Sequence, residues 1–329
     1  MRNKSHHLYS VLGMLLAFSI LFSLSTASAA DLSYPSKPVR LILPFPPGGA
    51  IDILGRIIGP KLSERLGQPV VPENRPGAAG NIAYEAAAKA KPDGYTIVLG
   101  GQGLAVSTSL YKNLNYDPIR DFAPISLISQ VPFVVAVRSS LPINSLKELV
   151  QYAKANPGKL NFGSAGINSP HHLAGELLKS LAKINIVHVS YKGAGPALIG
   201  LMGGEVDMVV SAPSVVVPQI QTGKVRVLAV LSNERFPPLP NAPTAMEAGI
   251  GNFEVASWHG ILAPTGTPRD IINRLNAEWM QIVAMPDTRE KIRKAEFEPL
   301  STTPEQFSEF LKAEILRWGK VIKEANINE

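Results

Sequence analysis

From Val39 onward, short β-branched runs alternate with stretches of helical periodicity, and most changes between them are marked by glycine, proline or a small hydroxyl residue. Val39 to Leu43 reads as a strand. Ile51, Leu54, Ile57, Ile58, Leu62 and Leu66 recur near a 3.6-residue spacing and read as the following helix, closed by Gly67 and Pro69. Further strands are expected at Tyr95 to Leu99, Ile125 to Ser129, Phe133 to Val137, Asn161 to Gly163, Ile186 to Val189, Val206 to Val210 and Val225 to Val230. Ser145 and Glu148 have capping-box spacing for a helix that ends at Asn156-Pro157-Gly158. Pro170, Pro196, Pro268 and Pro304 sit where a first-turn proline belongs, and Ser169, Thr267 and Thr303 precede three of them as N-caps. The stretch from Pro268 reads as mostly helical, with Trp279 and Trp318 on apolar faces. This alternation predicts open, mainly parallel sheets with helices on both sides, in which ligands sit beyond the carboxyl ends of the strands. The strand-to-helix loops therefore carry the functional question.

The first residues are of another kind. Arg2 and Lys4 precede an uncharged apolar run from Val11 to Leu24, and Ala27-Ser28-Ala29 supplies a small-x-small cleavage signal. The run is shorter than the roughly 20 residues a membrane span needs, so residues 1–29 read as a cleaved leader with processing near Ala29. The remaining 300 residues carry 30 Lys and Arg against 26 Asp and Glu, a balance that does not support a nucleic-acid footprint. That length exceeds a usual single domain and predicts two lobes. The chain has no cysteine, which excludes thiolate nucleophiles, Cys-ligated zinc, iron–sulfur clusters and lipoprotein acylation. With no later bilayer-length apolar run, the mature chain is expected to be soluble in a Gram-negative periplasm.

Four loop groups could hold a ligand. Pro44-Phe45-Pro46-Pro47-Gly48-Gly49-Ala50-Ile51-Asp52 joins the first strand to the first helix, where paired glycines let backbone N–H groups approach a ligand. Asp52 fits a first-turn position favoured by the helix dipole. Gly163-Ser164-Ala165-Gly166-Ile167-Asn168-Ser169-Pro170-His171-His172 combines hydroxyls, glycine and a helix start suited to carboxylate oxygens. Tyr191-Lys192-Gly193-Ala194-Gly195-Pro196 adds an aromatic hydroxyl and a cation, while Asp207 and Ser211 bracket the strand Val206 to Val210. Each loop also reads as a plain capped turn. Adjacent His171 and His172 point different ways on a helix and lack HxxxH spacing, so no metal is expected. Ser164 is not a nucleophile elbow, because the glycine required two residues earlier is Phe162. Pro47-Gly48-Gly49-Ala50-Ile51-Asp52 is not a G-x-G-x-x-G fingerprint, and no Walker lysine occurs, so no cofactor is expected.

Taken in order, these segments resemble the extracytoplasmic solute receptors of the tripartite tricarboxylate transporter group, the Bug family. The resemblance covers the mature chain: Tyr34-Pro35 and Pro38-Val39; Pro46-Pro47-Gly48-Gly49 and Asp52; Asn74-Arg75-Pro76-Gly77 with Gly80-Asn81; Lys91-Pro92-Asp93-Gly94-Tyr95-Thr96; Asp121-Phe122; Gly163-Ser164-Ala165-Gly166; Tyr191-Lys192-Gly193; Gly204 with Asp207; and Leu262-Ala263-Pro264 with Pro268.

The resemblance implies an α/β, type II periplasmic-binding-protein fold, with two lobes joined by crossover strands that shut like a Venus flytrap on a small carboxylated solute. Lobe one is expected over 31–136 plus 257–329 and lobe two over 137–256, with crossovers near Val134 to Val137 and Glu254 to Gly260. Carried over residue by residue, the ligand loops are Pro47, Gly48 and Gly49 with Asp52 on lobe one, and Ser164, Ala165, Gly166, Asn168 and Ser169 with His172 on lobe two. Tyr191, Lys192, Gly193, Asp207 and Ser211 are further candidates, as is Gln102. Two departures bear on ligand identity: Ile167-Asn168 stands where the family usually has a variable residue and glycine, and Ile51 replaces a common hydroxyl residue. The implied protein is a monomeric, non-enzymatic receptor that hands its solute to the membrane components of a tripartite transporter. Its rivals are an exported hydrolase using Ser164 with His171 or His172, and a ligand sensor for a kinase ectodomain.

Overall fold

The computed structural model describes residues 34–324, apart from 49, 252 and 296, together with residue 327. The leader expected over residues 1–29 lies outside the described residues. The chain divides into Met1–Ser36 and Lys37–Glu329, and the second unit holds every helix and strand described below.

Two five-stranded sheets organise that unit. The first has the order β2-β1-β3-β10-β4, built from β1 (Val39–Leu43), β2 (Val70–Asn74), β3 (Thr96–Gly101), β4 (Phe122–Pro132) and β10 (Ala256–Pro264). The second has the order β7-β6-β8-β5-β9, built from β5 (Val134–Arg138), β6 (Asn161–Ser164), β7 (Val187–Ser190), β8 (Met208–Ser211) and β9 (Val225–Val230). Parallel pairing joins β1 to β2 and β3, and β6 to β7 and β8. The expectation of mainly parallel sheets needs amendment: β10 runs antiparallel to β3 and β4, and β5 runs antiparallel to β8 and β9. These two strands adjoin the passages between sheets, so their direction is set by the crossing and not by a βαβ unit.

The helices follow from local chemistry. Between the strands run α1 (Ala50–Leu66), α2 (Asn81–Ala88), α3 (Gln102–Leu110), α4 (Leu146–Ala155), α5 (Pro170–Ala182), α6 (Ala194–Gly203) and α7 (Pro213–Ile220); α8 (Arg269–Ala284), α9 (Pro286–Lys294) and α10 (Pro304–Glu324) close the chain. Ser145 caps α4 by accepting from the Glu148 N–H, and Ser169 caps α5 by accepting from the His172 N–H. Thr303 and Gln306 form a reciprocal capping box at α10. Thr267 does not cap α8, because its hydroxyl donates to the Pro264 carbonyl in the preceding turn, and Pro268 takes the cap position. Pro196 lies in the third position of α6 instead of the first, still within the turn that needs no intrahelical donor.

Trp258, Trp279 and Trp318 are fully buried. Trp258 Nε1 and Trp318 Nε1 both donate to Glu314 Oε2, at 3.1 and 3.0 Å, so a buried carboxylate has partners for its lone pairs. Between the sheets, three segments form a ring of backbone hydrogen bonds. The Phe133 N–H donates to Val255, the Val255 N–H to Leu231, and the Leu231 N–H to Phe133. Phe133 alone separates β4 from β5.

Candidate functional site

The strand registers place the candidate loops. In the first sheet Gly101, the last residue of β3, pairs with His259, and the start of β10 at Ala256 pairs with Pro132 at the end of β4. In the second sheet Ser211, the last residue of β8, pairs with Val134, which begins β5. The carboxyl ends of β1 and β3, and of β6, β7 and β8, are therefore the ends nearest the Phe133 passage in their respective sheets. The loops that leave those ends open helices, whose free N–H groups and dipoles favour an anion.

On the first sheet three loops make one wall. Asp52, buried in the first turn of α1, accepts from Gly48 N at 2.9 Å, from Arg56 Nε at 3.0 Å and from Asn74 Nδ2 at 2.9 Å. Asn74 Nδ2 also donates to the Phe45 carbonyl. The Arg56 guanidinium, helped by the Gly48 and Asn74 donors against burial, holds the Asp52 carboxyl at about 2. Asp52 thus shapes the loop and does not stand free for a ligand. Pro47 and Gly48 are exposed, with Gly48 at φ +88°; Gly49 lies outside the described residues. Residues 77–80 form the second loop, four successive positions at positive φ: Gly77, Ala78, Ala79 and Gly80. A Cβ on Gly80 would lie 3.1 Å from the Pro44 side chain, and one on Gly103 would lie 3.4 Å from the Ala79 carbonyl oxygen. This turn thereby seats the start of α3, where Gln102 is buried with neither side-chain amide atom hydrogen-bonded.

On the second sheet Ser164 is fully buried at the end of β6. Its Oγ accepts from Gly166 N at 3.1 Å, reaches Gly166 O at 3.1 Å and lies 2.7 Å from His188 Nε2. Gly166 stands at φ +132° and Asn168 at φ +62°, so asparagine occupies the left-handed position that glycine would take most cheaply. The Asn168 N–H donates to His172 Nδ1 at 3.1 Å, and Ser169 Oγ donates to Gly166 O at 2.6 Å. Behind this loop the rings of His172 and His188 stack at 4.0 Å, with Phe162 4.9 Å from His188. Burial holds the His188 imidazole down at about 4, with His172 adding to the effect; burial and then Lys179 lower His172.

The remaining candidates separate. The Tyr191 N–H donates to Ser164 O at 3.0 Å, and the Tyr191 hydroxyl donates to Glu205 at 3.0 Å, which ties the ring into the packing of α6. Lys192 is exposed, and Gly193 occupies the N-cap of α6 at φ +124°. Ala165 is half-buried within the Ser164 loop. Ser211 is buried at the junction end of β8, its Oγ without a partner. Asp207 lies at the opposite end of that strand, held by Arg138 Nε and Nη2 at 3.0 and 2.9 Å and accepting from Asn161 N at 3.0 Å. It is therefore not brought together with the loops.

Several residues were not singled out from sequence. His188 backs Ser164 in place of either histidine named for the hydrolase reading, and it sits mid-strand without a motif to mark it. His259, Ser129 and Gly101 lie abreast across three strands, a register no local pattern discloses. The Asn74-Arg75-Pro76-Gly77 and Gly80-Asn81 segments were visible as a motif, but not the hydrogen bonds from Asn74 to the first loop. Among the described residues no three His, Asp or Glu side chains are grouped to hold a metal ion.

A family model described as "Tripartite tricarboxylate transporter family receptor" matches residues 54–327. The chain is 39% identical over 314 residues to a UPF0065 protein encoded in the tcbD–tcbE intergenic region of Pseudomonas sp. strain P51, covering 95% of this chain and 93% of that protein. R. palustris Rpa4515, solved with adipate, is 37% identical with a TM-score of 0.75, covering 90% of this chain and all of that one. MatC (Rpa3494) from Rhodopseudomonas palustris, solved with bound malate, is 32% identical with a TM-score of 0.72, covering 88% and 100%.

Proposed function

Because the chain belongs to the tripartite tricarboxylate transporter receptor family, a family of periplasmic solute-binding proteins with the two-sheet α/β binding fold, we propose that it captures a small carboxylated solute and presents it to the membrane components of such a transporter. The observation that carries this reading is the placement of the helix-opening loops before α1 and α5 at the junction ends of their sheets. The N–H groups of Gly48, Gly166 and Asn168 are engaged within these loops, so in this reading one anion is met by the other N–H groups at the two helix starts. Pro47, Gly48 and Gly49 would grip from one side, and Ser164, Ala165, Gly166 and Ser169 from the other. Relatives solved with adipate and malate support a carboxylate as the solute.

In this reading residues 1–29 direct export and are removed, and the receptor acts as a monomer without turnover. Lobe one comprises 31–136 with 257–329 and lobe two 137–256; the change of sheet at Phe133 and the start of β10 at Ala256 support a division close to those limits. Solute then biases closure by its greater affinity for the shut form. The hydrolase reading pairs Ser164 with His171 or His172, whereas the histidine that meets the fully buried Ser164 hydroxyl is His188.

Thermal-shift and calorimetric screening of protein stripped of co-purified solute tests the assignment, using di- and tricarboxylates, amino acids and aromatic acids. Saturable binding of at least one acid, lost on Ser169→Ala with Gly48→Val, is expected. Silence across the panel would sink the reading.

A further inference from the structure

Buried polar atoms without a partner are uncommon, because each gives up hydrogen bonds to water and gains none in return. Most of those among the described residues gather toward the junction ends of the two sheets: both amide atoms of Gln102, Ser129 Oγ, His259 Nδ1, Ser211 Oγ, Asn168 Oδ1 and His171 Nδ1. All belong to neutral groups, since burial holds His171 and His259 down at about 4. The cations on the same loops are committed or exposed. Arg56 is bound to Asp52, Arg75 to Glu73, and Lys192 is exposed.

Gln102 narrows the chemistry furthest. It opens α3 directly beyond Gly101, beside the 77–80 turn, and is 5% exposed. Its side chain offers a donor and an acceptor side by side. A primary amide answers both at once, because it donates to Oε1 and accepts from Nε2. A carboxylate would answer the donor alone, would bring an anionic oxygen against Oε1, and would shed water with no buried cation in exchange.

We propose that the solute carries a carboxylate at one end and a primary carboxamide at the other, the half-amide of a dicarboxylic acid, and that Gln102 pairs with the carboxamide. This rests on the receptor reading above, which assigns the carboxylate to the loops before α1 and α5.

Calorimetric titration of stripped protein with succinamate, glutaramate and adipamate, each against its parent diacid, tests the proposal. At least one half-amide should bind about tenfold or more tightly than the diacid of equal length. Gln102→Met should bring that ratio close to one in a protein whose melting shows it folded. Should Gln102→Met fail to fold, Gln102→Glu, which retains an acceptor but no donor, should also reduce half-amide affinity. Diacids that match or exceed their half-amides, or an unchanged ratio in a folded variant, would overturn the proposal and leave the receptor standing. Binding of other acids but of neither series would do the same. Silence from every acid tested would overturn both.

Discussion

At Asp52 one carboxylate fixes the geometry of a candidate ligand loop, because its three partners come from the loop, the helix and the neighbouring strand. Asp52→Ala should weaken solute binding about tenfold or more by freeing Gly48, a change that calorimetry would read directly. Because the folded Asp52 carboxyl is held at about 2, below its ordinary 3.8, its stabilising contribution is full above about pH 4 and is lost as pH falls through 2. The histidines act in a higher window. His171, His188 and His259 are held at about 4 from an ordinary 6.5, so the unfolded chain takes up protons that the folded chain refuses. The histidines should therefore lower stability as pH drops from about 6.5 to 4, by up to about 1.4 kcal/mol per pH unit for each, and the loss at Asp52 follows below that window. Denaturant unfolding at a series of pH values checks this, and a flat profile across the window would contradict it. Ala79 occupies the left-handed region at φ +54°. Ala79→Gly should raise stability by about 0.5–1 kcal/mol, the steric relief exceeding the entropy that glycine loses.

Helix α5 is held against the second sheet by an absence of side chain. A Cβ on Gly175 would overlap the Phe162 ring, so Gly175→Ala should destabilise by about 1–3 kcal/mol and disturb the histidine stack behind Ser164. Denaturation midpoints, with solute affinity measured in parallel, would test both parts. Elements of this kind were legible in the sequence where their causes are local. The caps at Ser145, Ser169 and Thr303 each depend on a residue three positions away. Thr267 was misread because a nearer carbonyl, Pro264, claims its hydroxyl. The strand-to-helix loops could be picked out by their glycines and hydroxyls, and Asp52 by its place in a first turn. His188, His259 and the lack of partners at Gln102 could not, because each follows from which strands lie side by side. The directions of β5 and β10 were hidden for the same reason.

At the scale of the molecule, the paired indoles give closure an optical handle. Trp258 lies two residues into β10 and shares Glu314 with Trp318, so solute-driven motion at the crossing should alter its emission. Solute addition should change wild-type fluorescence, and Trp258→Phe should remove most of that change while calorimetry still records binding. The backbone ring of Phe133, Leu231 and Val255 also has a bearing on how receptors of this build diversify. Since one residue parts β4 from β5, inserting another would either reverse which side chains of β5 point inward or break the ring. Length is thus frozen at the crossings and free at the strand-end turns. Descendants of such a chain could change what they carry by rewriting the turns, provided the joint between the sheets keeps its length.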